Sequence, residues 1–283
     1  MIRALASLIG GLAIVLAPAT AFAGRLATVG SGKRVHWARR EIELVPVVPA
    51  NAKSLSEEVV RRELELAADA WNGLRPSGAP RIRIAASRPR GDVAQDGVSV
   101  VLLQTSRRCS EEALSARGCF TRAHQAVTHL YPIDAPGDAA DGEVAEADIE
   151  VNGVDVDWSR GAPGSPGDGA RSLPLFAVLV HELGHVLGLE HSCVADPSRA
   201  LAGVPACIEP RAKSSLMYPD ALEPGRALVL APGEDERATL ASGYPPSAAS
   251  CACGPRGSAG ARYSGFVFVS AIAIGSWRRR ARP

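Results

Sequence analysis

Short runs rich in apolar and β-branched residues, some of them with apolar–polar alternation, occur between residues 34 and 151 and predict β-strands. The predicted strands cover residues 34–48, 81–85, 98–103, 127–131 and 144–151. In the last of them, Asp148, Glu150 and Asn152 alternate with apolar residues. This alternation is typical of an edge strand or of a half-exposed strand.

Other stretches carry their apolar residues at helical spacing. Residues 55–74 predict a long amphipathic helix, and Ser54 with Glu57 would form a capping box at its start. Residues 173–187 are almost wholly apolar, so the second predicted helix should be buried. A last helix is predicted to begin at Pro232 and to end near residue 242.

The order of these elements predicts an α+β fold, because the strands precede the buried helix and another helix follows it. The domain would span residues 35–244 and contain a mixed twisted sheet with long helices. The small, polar segment 24–34 is expected to be flexible, and the composition of 245–262 is typical of a linker.

The buried helix carries the strongest chemical signal of the chain, the run HELGHVLGLEH from His181 to His191. His181 and His185 are four residues apart, so their rings would project from one helix face toward one metal ion. Gly188 can adopt a left-handed conformation and end the helix, after which His191 would return as a third nitrogen ligand. Three protein ligands leave a fourth position for water, as in a catalytic zinc site.

A short HExxH pattern also occurs by chance in ordinary helices, where the two histidines are simply solvated. The full run is harder to meet by chance because it adds a glycine and a third histidine at fixed positions. Histidines and Glu182 in an apolar helix also need partners, which a metal ion supplies. We therefore favour the metal-site interpretation.

This run resembles the zinc-binding segment of the metzincin metalloproteases, HExxHxxGxxH, and within them that of the matrixins. Ser192, directly after the third histidine, is the matrixin residue at this position. The resemblance covers about residues 35–244 and implies a zinc endopeptidase with a metzincin fold. In such an enzyme the three histidines hold the catalytic Zn²⁺ and Glu182 is the general base.

A second run, SSLMYP at residues 214–219, resembles the matrixin Met-turn. The resemblance implies that Met217 lies beneath the zinc site and that Tyr218 and Pro219 form part of the substrate pocket. Astacins place a tyrosine two residues after this methionine, which fits the sequence less well. No latency segment of the PRCGxPD type is present.

A protease of this type would bind protein or peptide substrates. An exposed edge strand beside the site could hold an extended peptide by main-chain pairing. Both 127–131 and the strand around Asp148 remain candidates for that edge.

Acidic residues are concentrated between the fourth predicted strand and residue 157. Their carboxylates could bind a structural Ca²⁺, an ion that matrixins commonly bind, or could simply be solvated. The two interpretations stay open. The residues concerned are Asp134, Asp138, Asp141, Glu143, Asp148, Glu150, Asp155 and Asp157. We expect His124 and His129 to be ordinary strand residues.

The formal net charge of +1 gives no bulk attraction for nucleic acid. We expect a monomer that binds no nucleic acid.

The N-terminus predicts export. Arg3, an apolar stretch and the A-x-A site at 21–23 form a signal peptide over residues 1–23, and its short apolar stretch argues against a retained membrane anchor. Six cysteines in an exported chain predict disulfides. Sequence proximity suggests two pairs, Cys109 with Cys119 and Cys193 with Cys207, among 15 full pairings.

The C-terminal tail combines Cys251 and Cys253 with an apolar stretch over 266–277 and a final cluster of arginines. It resembles the MYXO-CTERM sorting tails of myxobacterial proteins, which implies processing and attachment to the cell envelope. The apolar stretch is short for a spanning helix, which needs about 20 residues. The alternative is a disordered, sticky tail with no sorting function.

Two functions from different classes follow. The first is an exported or surface-anchored zinc endopeptidase that uses a water molecule and Glu182 to hydrolyse peptide bonds. The second is a surface binding module that keeps the fold and zinc but cleaves nothing. The intact Glu182 favours the enzyme.

Overall fold

A computed structural model of the chain describes residues 24–52, 55–86, 92–106, 124–160, 172–196, 198, 204–220, 227–245 and 266–270. The strands in this part are β1 (Glu41–Val47), β2 (Arg81–Ile84), β3 (Val100–Gln104), β4 (Ala126–Pro132), β5 (Val144–Asn152), β6 (Trp158–Ser159), β7 (Leu173–Pro174) and β8 (Phe266–Ser270). The helices are α1 (Glu57–Leu74), α2 (Leu175–Val186), α3 (Glu234–Gly243) and a 3₁₀ helix (Pro210–Ser214). The prediction of an α+β fold is confirmed.

The N-cap of helix α1 lies two residues after the predicted cap. Ser56 is the N-cap, and its hydroxyl accepts a hydrogen bond from the Val59 N–H. Ser54 lies outside the described residues, and the predicted capping box is replaced by this Ser56 cap. The buried face of α1 includes Trp71, whose indole N–H donates to the Val180 carbonyl of α2 at 2.7 Å. This bond ties the two long helices together.

Six strands form the main sheet in the order β2-β1-β3-β5-β4-β8. The pairs from β2 through β5 are parallel, and β4 runs antiparallel to β5. Strand β8 extends the sheet by pairing antiparallel with the outer edge of β4. A separate two-stranded sheet joins β6 and β7 directly before α2.

Strand β5 is not the edge or half-exposed strand that its alternation predicted. It lies inside the sheet between β3 and β4, and its polar residues are buried. Asp148 accepts from the Val100 N–H at 3.0 Å, and Glu150 accepts from the Gln104 amide at 2.7 Å. The polar face of β5 is therefore satisfied by neighbouring chain segments instead of by water.

Helix α2 is buried on almost every side, as its apolar composition predicted. The helix ends where Gly188 adopts a φ of +93°, as predicted, and the Gly188 N–H donates to the His185 carbonyl at 2.8 Å. A Cβ at this position would lie 2.9 Å from a methyl carbon of Val35. Both the backbone angle and the close approach therefore require glycine.

Residues 24–34, whose composition predicted a flexible segment, pack against the core of the domain. Leu26, Ala27 and Val29 belong to the main core, and Leu26 forms a bridge with Leu189 just after the end of α2. The small, polar composition of this segment did not indicate that these apolar residues would be buried.

Within the described residues, no helix combines the length and the apolarity that crossing a membrane would need.

Candidate metal centre

The three predicted histidine ligands meet at one point. His181 and His185 project from α2, and His191 returns to them after the turn at Gly188. The candidate ligand nitrogens of the three rings lie within 4.8 Å of one another, and Nε2 of His185 is 3.2 Å from Nε2 of His191. Among the residues that the structure describes, this is the one cluster with ligand-like spacing.

Backbone carbonyls fix two of the three rings. Nδ1 of His181 donates to the Leu216 carbonyl at 2.8 Å, and Nδ1 of His185 donates to the Leu189 carbonyl at 2.6 Å. A carbonyl oxygen only accepts, so the proton of each neutral ring lies on Nδ1. The lone pair is then on Nε2, which is the arrangement that metal-binding histidines use.

The electrostatic environment favours the neutral form of His185 and His191. Burial, followed by the neighbouring His191 and His181, lowers the pKa of His185 well below its usual value. Loss of hydration and the neighbouring His181 lower the pKa of His191 to about 3. Neutral imidazole is the form that binds metals. The site therefore suits a bound metal ion better than it suits protonated histidines.

The donor set fits zinc. Tetrahedral zinc with Zn–N bonds of about 2.05 Å requires neighbouring nitrogens about 3.3 Å apart. The 3.2 Å separation between His185 and His191 agrees with this value. Three nitrogen donors from the protein also leave one coordination position for water or substrate.

Glu182 lies in the same buried helix and is fully enclosed. The hydroxyl of Thr128, on β4, donates a short hydrogen bond to Oε2 of Glu182. Thr128 is itself fully buried. Sequence reasoning missed this residue, because it lies 54 positions away in the sequence and no local pattern joins the two.

Met217 lies directly beneath α2. It is fully buried, and a Cβ added to Gly184 would come within 2.4 Å of its sulfur atom. Gly184 separates the two helical histidines, so the thioether packs against the helix backbone between them. This position agrees with the floor expected from the Met-turn resemblance.

Helix α3 holds the segment 214–219, which contains Met217, in place. Oε1 of Glu236 accepts from the Ser215 hydroxyl at 2.8 Å and from the Leu216 N–H at 3.0 Å. The Leu216 carbonyl in turn accepts from His181. A chain of hydrogen bonds therefore runs from α3 to the ring of His181, one of the candidate metal ligands, which the sequence did not indicate.

The segment after His191 is braced by a disulfide. Cys193 and Cys207 are bonded, which confirms the pair suggested by their proximity. Tyr218 packs beside this disulfide, and its hydroxyl donates to the Cys207 carbonyl at 3.4 Å. This contact directs the hydroxyl to the loop, away from an astacin-like role at the metal. Tyr218 is buried and Pro219 is half-buried, so the expected pocket wall stays a prediction.

The acidic residues that suggested calcium do not converge on one point. Asp134 accepts from the Gly30 N–H, Asp141 accepts from the Ala135 N–H, and Glu150 lies 2.9 Å from the ring of His129. These carboxylates therefore hold separate chain segments. No acidic cluster with ligand spacing occurs in the described ranges, and calcium binding stays a prediction.

Several predicted features lie outside the described residues. They are the signal peptide 1–23, the pair Cys109 and Cys119, and the two cysteines Cys251 and Cys253 of the tail.

Comparison with known proteins finds a family match for part of the chain. The matrixin family model matches residues 112–200, the interval that contains β4, β5, α2 and all three histidines. Among solved structures, one similar chain is high choriolytic enzyme 1 (HCE-1), a hatching enzyme zinc-protease from the medaka fish Oryzias latipes. The two sequences are 13% identical, and the alignment covers 78% of this chain and 98% of that chain. The TM-score is 0.33, and this similarity is too low to support an inference. No curated protein sequence matches the chain.

The family match over residues 112–200 and the histidine cluster within it support a matrixin-like protein. Zinc is the metal expected of such proteins, and the cluster provides donors that suit it.

Proposed function

We propose that the protein is an exported zinc-dependent endopeptidase. The observation that carries the proposal is the convergence of three imidazoles in a buried helix and its following turn, with Glu182 next to the first of them. The 3.2 Å separation between Nε2 of His185 and Nε2 of His191, with a ligand nitrogen of His181 within 4.8 Å of both, is compatible with one shared metal ion.

The ligands would be His181, His185 and His191, and bound zinc supplies Lewis acidity toward a water molecule and the scissile carbonyl. The carbonyls of Leu216 and Leu189 orient two of the rings through Nδ1. Such partners outside the ligand set normally raise the basicity of the ligating nitrogen.

Glu182 would take the proton of the attacking water and pass it to the leaving amine. Thr128 fixes Oε2 of this carboxylate, so Oε1 is the oxygen assigned to proton transfer. Complete burial of Glu182 limits competition from bulk water.

The outer edge of β4 would hold the peptide substrate. β4 contacts α2 through the Thr128–Glu182 pair, and its outer side is paired only with the five-residue strand β8, whereas β5 lies between β3 and β4. The structure therefore favours the first of the two candidate edges. An extended peptide can pair with such an edge through its main chain.

Export, attachment to the cell envelope and a monomeric state also belong to this proposal. They rest on the signal peptide, the tail and the sequence resemblance described above.

The test compares the purified protein with its Glu182→Gln and His185→Ala variants, using casein digestion and elemental analysis of zinc. We expect Glu182→Gln to keep stoichiometric zinc and lose hydrolysis, because only the carboxylate is removed. His185→Ala should lose both. A chelator should abolish the activity of the wild type. If zinc-loaded wild type cleaves no protein or peptide, the non-catalytic binding module is the better description.

A further inference from the structure

The outer edge of β4 is already occupied by the chain's own C-terminal segment. Five consecutive residues of β8 pair antiparallel with β4, from Ala126 opposite Ser270 to Leu130 opposite Phe266. At the centre of this ladder, Thr128 lies opposite Phe268. Thr128 is the residue that contacts Glu182, so the main chain of β8 passes beside the proposed catalytic site.

The pairing excludes a second extended chain from the same edge. The N–H and C=O groups on one side of a strand form one ladder only. The opposite side of β4 is used by β5 from Ala126 to Pro132. A peptide substrate that needs the free side of β4 must therefore displace β8.

The sequences of both strands suit this contact. The segment 266–270 reads FVFVS, which is uncharged and rich in residues that favour strands. β4 reads AVTHLYP and contains no lysine, arginine or carboxylate that would discourage pairing along its edge. An uncharged edge of this kind is a template for an added strand.

We propose that Phe266–Ser270 is a tethered occupant of the substrate edge that competes with peptide substrates, so that the full chain binds them more weakly until this segment is displaced or removed. This inference rests on the proposed peptidase function. The partner fitted by the β4 edge is an uncharged, extended segment rich in valine and aromatic residues. Because the occupant is part of the same chain, the inhibition should not depend on protein concentration.

The test uses the full-length chain and the double variant Val267→Pro/Phe268→Pro. Proline has no N–H, and consecutive residues of a strand point their N–H groups to opposite sides, so one of the two prolines must break the ladder to β4. The matched control is Ser258→Pro/Ala259→Pro, which places two prolines in the tail before the strand.

The first measurement is hydrogen exchange, which does not require activity. In the Val267→Pro/Phe268→Pro variant, the amides of Val127–Leu130 that face β8 should exchange at least tenfold faster than in the wild type. Those that face β5 should be unchanged. The control variant should match the wild type. Equal exchange in all three proteins would overturn the proposal.

The second measurement is peptide hydrolysis by the same zinc-loaded proteins. The apparent KM of the Val267→Pro/Phe268→Pro variant should be at least tenfold lower than that of the wild type, with kcat within twofold. A synthetic peptide with the sequence of residues 263–270 should inhibit this variant competitively. An unchanged KM despite faster exchange would overturn the inhibitory role.

The two proposals fail in different ways. If no variant hydrolyses any peptide although exchange at β4 changes, the peptidase function is overturned and the β4–β8 pairing is supported. If all variants hydrolyse peptides with one KM, the peptidase is supported and the inhibitory role of β8 is overturned.

Discussion

Replacing Thr128 by valine tests how much of the proposed catalysis depends on the orientation of one carboxylate. The change removes the hydroxyl that donates to Oε2 of Glu182 and keeps a side chain of nearly the same shape. Both residues are fully buried, so water cannot easily supply the missing donor. Thr128 acts here as a positioning residue, since its hydroxyl contacts Glu182.

The expected loss follows from the strength of that bond. A hydrogen bond to a charged group contributes about 1.5–3 kcal/mol. If this amount is lost from the transition state, kcat should fall by about 10- to 150-fold, because about 1.4 kcal/mol corresponds to a factor of ten. KM should change little, because the Thr128 side chain is directed to Glu182.

The assay is hydrolysis of a fluorogenic peptide by wild type, Thr128→Val and Thr128→Ser, with zinc content and thermal unfolding measured in parallel. All three are made in the full-length chain, so any effect of β8 is common to them. Thr128→Ser retains the hydroxyl and should restore kcat to within about threefold of wild type. A folded, zinc-loaded Thr128→Val protein with the kcat of the wild type would refute the positioning role.

Three further predictions concern stability. Gly188→Ala should lower the free energy of unfolding by at least about 1–2 kcal/mol, which is the penalty of a left-handed residue. Gly73→Ala, which has open space at its Cβ, should not destabilise the fold. Urea unfolding of both variants checks this. Reduction of the Cys193–Cys207 disulfide should lower stability by about 3 kcal/mol, measured as the change in unfolding midpoint with and without reductant, and an unchanged midpoint would contradict it. Burial raises the pKa of Asp148 to about 8, so the native state holds a proton that the unfolded state has lost above about pH 4. The free energy of unfolding should therefore fall by about 1.4 kcal/mol per pH unit between pH 6 and 8 and then level off, and Asp148→Asn should remove this slope; equal slopes in the two proteins would exclude Asp148 as the cause.

The sequence by itself determined the features that depend on local spacing. The histidines at 181 and 185 share a face because a helix repeats every 3.6 residues, and Gly188 ends that helix because it tolerates a positive φ. The buried nature of α2 followed from its composition. The Cys193–Cys207 pair could be predicted because the two cysteines are close in sequence.

Local spacing did not determine where polar residues would go. The alternation in β5 predicted a strand with one face in water, but its carboxylates are buried against backbone and side-chain donors from other segments. A periodic pattern shows which residues share a face, and only the chain segments that pack over that face, here residues 94–97 and the Gln104 side chain, decide whether it meets solvent or protein.

The tertiary structure alone decided the contacts that complete the site. Thr128 reaches Glu182 across 54 residues, and Glu236 holds the turn whose carbonyl orients His181. The apolar segment that the sequence assigned to a sorting tail pairs with β4 beside the same site. These contacts join residues far apart in the chain, and their partners are set by how the helices, the turn and the strands pack together, which no local pattern encodes.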